Sequence, residues 1–335
     1  MERILKKKLL INRKSILIVF TLIVSFIFNS CSFNKKVLIF RQAFDVAGNN
    51  MNKGLEKHVP EGVISLIDVK YGSANPDSRM DVYFPNGSDS DWKNRPAIVW
   101  IHGGGWIAGS KEQISNYAKI LAHRGYTVVA IEYSLAPENI HPTPVLQVNT
   151  ALRFLLENPE KYHFNPAKIV IAGDSGGAQI AAQTGIVLTD SAYAKRLGVV
   201  PAVSRKKIAG MILYCGIYNL SKAEKDTEGL MLRMMMRAYS GKQNFKKKSY
   251  FALGSVAKHI PPTYPPTFIS VGNKDILKKH SYELAEVLKE KGIKVDSLFF
   301  EDADKVALNH EYQFDLDNES GKLAFERTVK FLEGL

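Results

Sequence analysis

The residues best placed to do chemistry stand in two short strings, His102-Gly103-Gly104-Gly105-Trp106 and Gly173-Asp174-Ser175-Gly176-Gly177. The second fits G-x-S-x-G, a strand-to-helix turn so sharp that its serine is held out of the sheet, ready to attack an acyl carbon. The first is a glycine loop whose bare backbone N–H groups can stabilise the oxyanion which that attack creates. Five-residue patterns recur by chance, so neither string is decisive alone. Their order, and the apolar run that precedes each, make the pair informative.

Acyl transfer of this kind needs a nucleophile, a base that takes and returns its proton, an acid that orients the base, and an oxyanion site. Ser175 is the expected nucleophile. Gly173 and Gly177 leave room around the strained turn, Gly176 supplies one oxyanion N–H, and Gly103 and Gly104 supply the others. The acid should follow a later strand. Thr267 to Val271 runs into Gly272-Asn273-Lys274-Asp275, which places Asp275 at a strand end; Asp302 and Asp304 are the alternatives. The base should follow the last strand, where His310 stands alone, whereas His280 lies in a lysine-rich run just past Asp275. Serine, aspartate and then histidine is one of the known chain orders of such triads. Trp106 is expected either to line the substrate mouth or to pack inside, and Tyr133 is placed with it at the pocket. No metal ligand set is expected.

Strands and helices must alternate to position these groups. Ala97 to Ile101, Thr127 to Ile131, Lys168 to Ala172, Ile208 to Tyr214, Thr267 to Val271 and Val295 to Phe300 read as strands. Ile114 to Arg124, Val145 to Leu156, Ala178 to Leu188, Ser281 to Lys291 and Lys322 to Leu332 read as helices. Val/Ile/Leu runs buried on both faces imply a mostly parallel sheet covered by helices, opened by antiparallel strands between Val63 and Phe84. Residues 219–266 break the alternation with four methionines, five aromatics and a proline cluster, and are expected to form a lid.

Taken together, the glycine loop, the serine turn, Asp275, His310 and Tyr133-Ser134-Leu135-Ala136-Pro137-Glu138 resemble the hormone-sensitive-lipase-like family of α/β-hydrolase esterases over residues 63–335. The resemblance implies an α/β-hydrolase fold with an eight-stranded sheet and a cap, and hydrolysis of short-chain acyl esters through an acyl-enzyme, with no cofactor. Acetylated or feruloylated polysaccharide is the substrate class it suggests. Asp174 is then a residue that shapes the turn rather than the triad acid. Three departures stand out: Ser134 replaces an arginine, Gly176 replaces an alanine, and residues 301–309 form a longer, more acidic loop. A prolyl-oligopeptidase-like peptidase shares the serine turn but has no glycine loop and brings a propeller for which 335 residues leave no room. A non-catalytic binding lipoprotein on the same fold is the rival of another class.

Composition agrees with one globular enzyme domain behind a targeting segment. The chain is 45% hydrophobic and carries a net charge of +12. Part of that charge lies in the leader, where Arg3, Lys6, Lys7, Lys8, Arg13 and Lys14 face only Glu2. The rest is scattered without interleaved aromatics, which argues against a nucleic-acid partner. The apolar run from Ile16 to Phe28 has the length of a signal-peptide core and is short for a membrane span. Ser30-Cys31 directly after it resembles a lipoprotein processing site, so residues 1–30 are expected to be removed and Cys31 to carry lipid. An uncleaved anchor over Ile11 to Phe28 is the other reading. Residues 31–60 are expected to be a tether with a short helix over Val37 to Val46. The expected location is a bacterial cell envelope, facing the periplasm or surface, and nothing here sets an oligomeric state. Cys215, inside an apolar run, reads as a buried small hydrophobe.

Overall fold

Strand residues of this chain alternate between two separate apolar layers, and that alternation builds the molecule. A computed structural model describes residues 32–73, 75–87, 92–223, 229–241, 249–301 and 306–335. Eight strands form one sheet: β1 (Val63–Lys70), β2 (Arg79–Pro85), β3 (Ala97–Ile101), β4 (Thr127–Ile131), β5 (Ile169–Asp174), β6 (Ile208–Tyr214), β7 (Thr267–Val271) and β8 (Val295–Phe299). Their order is β1-β2-β4-β3-β5-β6-β7-β8. Only β2 runs against its neighbours, and every pair from β4 to β8 is parallel. This is the α/β-hydrolase arrangement that the sequence suggests.

Successive strand side chains point to opposite faces. Val99, Ile101, Val129, Ile169, Ile171, Met211 and Leu213 pack on one side. There they meet α3 (Thr143–Glu157), α4 (Ser175–Thr189) and α9 (Lys278–Glu290). Ile98, Trp100, Val128, Val170, Ile212 and Tyr214 pack on the other, against α2 (Ser115–His123) and α10 (Glu319–Glu333). Because both faces are covered, β3, β4, β5 and β7 are buried at every residue. That is why they read as unbroken apolar runs.

Two elements differ from expectation. The leading segment is no tether with a short helix: α1 runs from Phe33 to Gly54, 22 residues. Its inward positions follow helical spacing and each finds a distant partner. Val37 is fully buried, Arg41 bonds the carbonyls of Ile107 and Ala136 at 2.6 and 2.8 Å, and Asp45 accepts the Gly109 N–H at 3.0 Å. Two turns further on, Asn52 bonds the Asn116 N–H and the Ser115 hydroxyl. A second helix, α5 (Ser191–Leu197), lies where no element was expected, capped by Asp190 and stopped by Gly198 in the left-handed region.

Between β6 and β7 the chain leaves the sheet as α6 (Leu220–Ala223), α7 (Leu230–Ser240) and α8 (Ser249–Leu253). Helix α7 lays Met234, Met235 and Met236 inward, so the methionine-rich segment is packed into the core layer that bears the catalytic loop. Among the described residues no helix is long and apolar enough to cross a membrane. The expected leader and Cys31 fall outside the described residues.

Candidate active site

Strand β5 delivers Ser175 and its geometry is that of a strained turn. The strand ends at Asp174, helix α4 begins at Ser175 itself, and the serine has φ +49°. A non-glycine residue in that region is held there by its surroundings. The glycines on either side explain how the turn closes. A Cβ on Gly177 would lie 2.1 Å from the Ile101 carbonyl oxygen and one on Gly173 2.7 Å from Gly177 backbone, so a side chain at either would collide with main chain that cannot yield.

The acid and the base come from the ends of β7 and β8. His310 Nε2 lies 2.9 Å from Ser175 Oγ, and His310 Nδ1 lies 2.8 Å from Asp275 Oδ2. Asp275 is itself fixed, because its other oxygen accepts the Leu277 N–H at 2.7 Å. The structure therefore joins Ser175, His310 and Asp275 in one chain of hydrogen bonds. His280 is buried on α9 and takes no place in that chain. Asp302 and Asp304 lie outside the described residues. The Cys215 thiol, with φ +41°, sits within 4.8 Å of the ligand atoms of Asp275 and His310. Cys215 is thus a buried group against the triad as well as a core residue. Burial pushes its thiol up to about 11, so it stays protonated. Such a trio has the donor types of a metal site, yet both His310 nitrogens already face hydrogen-bond partners.

Electrostatics around the base are uneven. Burial works against a charged His310 ring, but the Asp275 hydrogen bond and nearby Glu311 outweigh it and hold the histidine well above its ordinary value. The ring acts as base once it has lost that proton, so the upward shift moves the acid limb of activity to higher pH. Asp174 is buried next to the serine, with Oδ1 accepting the Trp100 indole N–H at 2.8 Å. Burial first, and the neighbouring Glu311 carboxylate second, raise Asp174 to about 7. It shapes the turn from below and makes no contact of the kind Asp275 makes with the histidine.

Gly103, Gly104 and Gly105 line the cavity that Ser175 and His310 face. Gly104 and Gly105 have φ +95° and +57°, conformations that glycine adopts without strain. The loop approaches the nucleophile closely. A Cβ on Gly176 would lie 3.1 Å from Gly105 Cα and from the backbone nitrogens of Gly105 and Trp106. Glycine at 176 instead of alanine is therefore matched to a glycine loop drawn tight against the turn. The sequence reading left out Gly105, though its place in the same string was the available signal.

Trp106 and Tyr133 do not line the cavity. Trp106 is 1% exposed, stacks on Tyr239 at 4.6 Å and donates its indole N–H to Gln179. Its φ of +66° turns the side chain from the glycine loop into the cap-side core. Tyr133 is fully buried, stacks on His102 and donates its hydroxyl to the carbonyls of His102 and Gly103 at 3.1 Å. Both residues brace the oxyanion loop and neither reaches substrate. Their aromatic character was visible in the sequence, but the direction in which each ring points is a property of the backbone around it.

The cavity has a volume of about 160 Å³. Its walls are Phe44 and Met51 of α1, Met231, Leu232 and Met235 of α7, and Ile276 and Leu277 after β7. The leading helix thus forms a wall of the site, which the sequence reading missed because α1 owes its place to partners more than 60 residues away. Ser175, His310 and the three loop glycines thus line one cavity whose other walls are largely apolar.

Known proteins share this frame. The protein-family model described as BD-FAE matches residues 80–290. Esterase B from Lactobacillus rhamnosis superposes with a TM-score of 0.74 at 21% identity, covering 89% of this chain and 95% of that one. An esterase from Pyrobaculum calidifontis gives 0.70 at 23% identity, over 89% and 93% of the two chains. EstE1, a thermophilic carboxylesterase cloned from a metagenomic library, gives 0.71 at 19% identity, over 91% and 99%. At these identities the likeness establishes the fold.

Proposed function

The chain belongs to the BD-FAE family, and from that premise we propose that it is a serine carboxylesterase that hydrolyses short-chain acyl esters. The observation that carries this reading is the continuous path from Ser175 Oγ through the His310 ring to the Asp275 carboxylate. His310 Nε2 takes the hydroxyl proton as Ser175 Oγ attacks the ester carbonyl, and Asp275 stabilises the imidazolium that forms. The backbone N–H groups of Gly103, Gly104 and Gly176 receive the oxyanion. The intermediate collapses when the same proton passes to the leaving alcohol, which leaves an acyl-Ser175. Water then attacks that ester with His310 as base, and the acid is released. An intact triad argues against a non-catalytic binding protein, and a cavity of only about 160 Å³ argues against a peptidase acting on an extended chain.

A cavity of about 160 Å³ with apolar walls favours small acyl groups. Across p-nitrophenyl acetate, butyrate, octanoate and decanoate, kcat/KM is expected to fall at least tenfold from butyrate to decanoate, which is ~1.4 kcal/mol of lost transition-state binding. Methyl ferulate tests the polysaccharide-ester reading alongside them. Turnover of acetate far above ferulate is expected from the cavity's size; equal rates for acetate and decanoate would contradict an enclosed acyl space.

The leader gives the enzyme its place. A basic stretch, an apolar core and Ser30-Cys31 support an envelope lipoprotein whose first residue after processing is Cys31. Labelling of the full chain with a tritiated fatty acid in a bacterial host is expected, with loss of label in Cys31→Ala. Label retained in that variant would remove the lipid anchor.

A further inference from the structure

The residue after the catalytic base is a glutamate held in an unusual conformation. Glu311 has φ +61°, a region in which glycine sits without strain, and its side chain is one-quarter exposed. Its Oε1 lies 3.8 Å from His310 Nε2. A Cβ built on Gly103 would lie 2.3 Å from Asp174 Oδ2 and 2.9 Å from Glu311 Oε1, so the two carboxyls flank the first glycine of the oxyanion loop. Both line the cavity, and no lysine or arginine does so among the described residues. A protein of net charge +12 thus presents an acidic face at its reacting centre.

Which side of the substrate meets that face follows from the chemistry. His310 Nε2 must hand its proton to the alcohol oxygen that leaves. A group 3.8 Å from that nitrogen therefore borders the alcohol part of the ester rather than the acyl part. Asp174 is nearly sealed from solvent, whereas Glu311 is the accessible carboxyl of the two. The groove that continues from His310 and Glu311 between α1 and the histidine loop adds Asn309 and Asp315, and Asp317 at its far end is ion-paired with Lys57 and His58.

We propose that Glu311 sets the alcohol specificity of this site, selecting esters whose alcohol part carries a protonated or quaternary amine within a few ångström of the ester oxygen. This rests on the esterase reading and deepens it. A cation there replaces water around a partly exposed carboxylate, so the gain is modest, and an anionic alcohol part is disfavoured by the same charge.

The test compares two acetates of the same shape, acetylcholine and its uncharged isostere 3,3-dimethylbutyl acetate, on the full-length protein. The ratio of their kcat/KM values is expected to be about tenfold in favour of acetylcholine, equal to ~1.4 kcal/mol, at low salt. It should fall towards one in Glu311→Gln. Glu311→Gly, a residue suited to φ +61°, is the second variant and should give the same ratio as the glutamine. A wild-type ratio of one or less, or a ratio that neither substitution changes, overturns the inference. If p-nitrophenyl acetate is still hydrolysed in that case, the esterase reading survives without it. If no ester is hydrolysed at all, both fall together.

Discussion

Replacing Ser175 by alanine is expected to lower kcat/KM for p-nitrophenyl acetate by a factor on the order of 10⁴ or more. The loss is large because the change removes the atom that forms the acyl bond, while the site around it stays built. Ser175 is 9% exposed and its hydroxyl bonds His310, so alanine leaves a small gap and no clash. Stability should change little, by roughly 1 kcal/mol or less. The backbone strain at φ +49° is unaltered in kind, since alanine and serine meet the same Cβ restriction. Circular dichroism and the melting temperature therefore separate a dead site from a broken fold. Residual hydrolysis in the variant should be insensitive to further change at His310, because the triad acts as a unit.

Asp275→Asn is expected to cost about 10³- to 10⁴-fold in kcat with the fold intact. One carboxylate oxygen accepts the Leu277 N–H at 2.7 Å and the other faces His310 Nδ1 at 2.8 Å. An asparagine keeps the Leu277 bond only by placing its carbonyl there, which turns its NH₂ towards Nδ1. The ring must then accept at Nδ1 and carry its proton on Nε2, the nitrogen that has to take the proton of Ser175. The base is present in the wrong tautomer. Since the Asp275 hydrogen bond is one of the influences that raise His310, its loss also lowers the histidine's pKa. The acid limb of the pH–rate profile should accordingly shift to lower pH. A variant with near wild-type kcat, or with its acid limb moved upward, would remove Asp275 from the role of orienting acid.

Much of the fold was legible because its chemistry is repetitive. Strands β3, β4 and β7 fall where their apolar runs predict, since burial on both faces writes itself into every residue. Ser175 was legible because the turn needs glycines around the nucleophile and the glycine loop precedes it in the expected order. Asp275 and His310 could be picked by their position after late strands, although only the folded chain sets Asp275 against His310. What escaped the sequence reading has a common physical cause. Helix α1 carries its apolar signal only around Val37 to Val46, and its full length is held by Arg41, Asp45 and Asn52 reaching residues far along the chain. Of the two readings open for Trp106 the structure shows the inward one, set by a positive φ, and Tyr133, expected at the pocket, is turned inward by two carbonyl acceptors. Glu311 gave no signal in its residue type; its importance comes from a left-handed backbone that sets it beside His310.

The central claim is that Ser175 is the nucleophile of an acyl-transfer site, and covalent trapping tests it most directly. Diethyl p-nitrophenyl phosphate reacts with an activated serine by forming an Oγ–P bond and releasing p-nitrophenolate. Mass spectrometry of the treated full-length protein is predicted to show one diethylphosphoryl group per chain, on the peptide that contains Ser175, with none in Ser175→Ala. An adduct on another residue, or equal labelling of the alanine variant, would contradict the account.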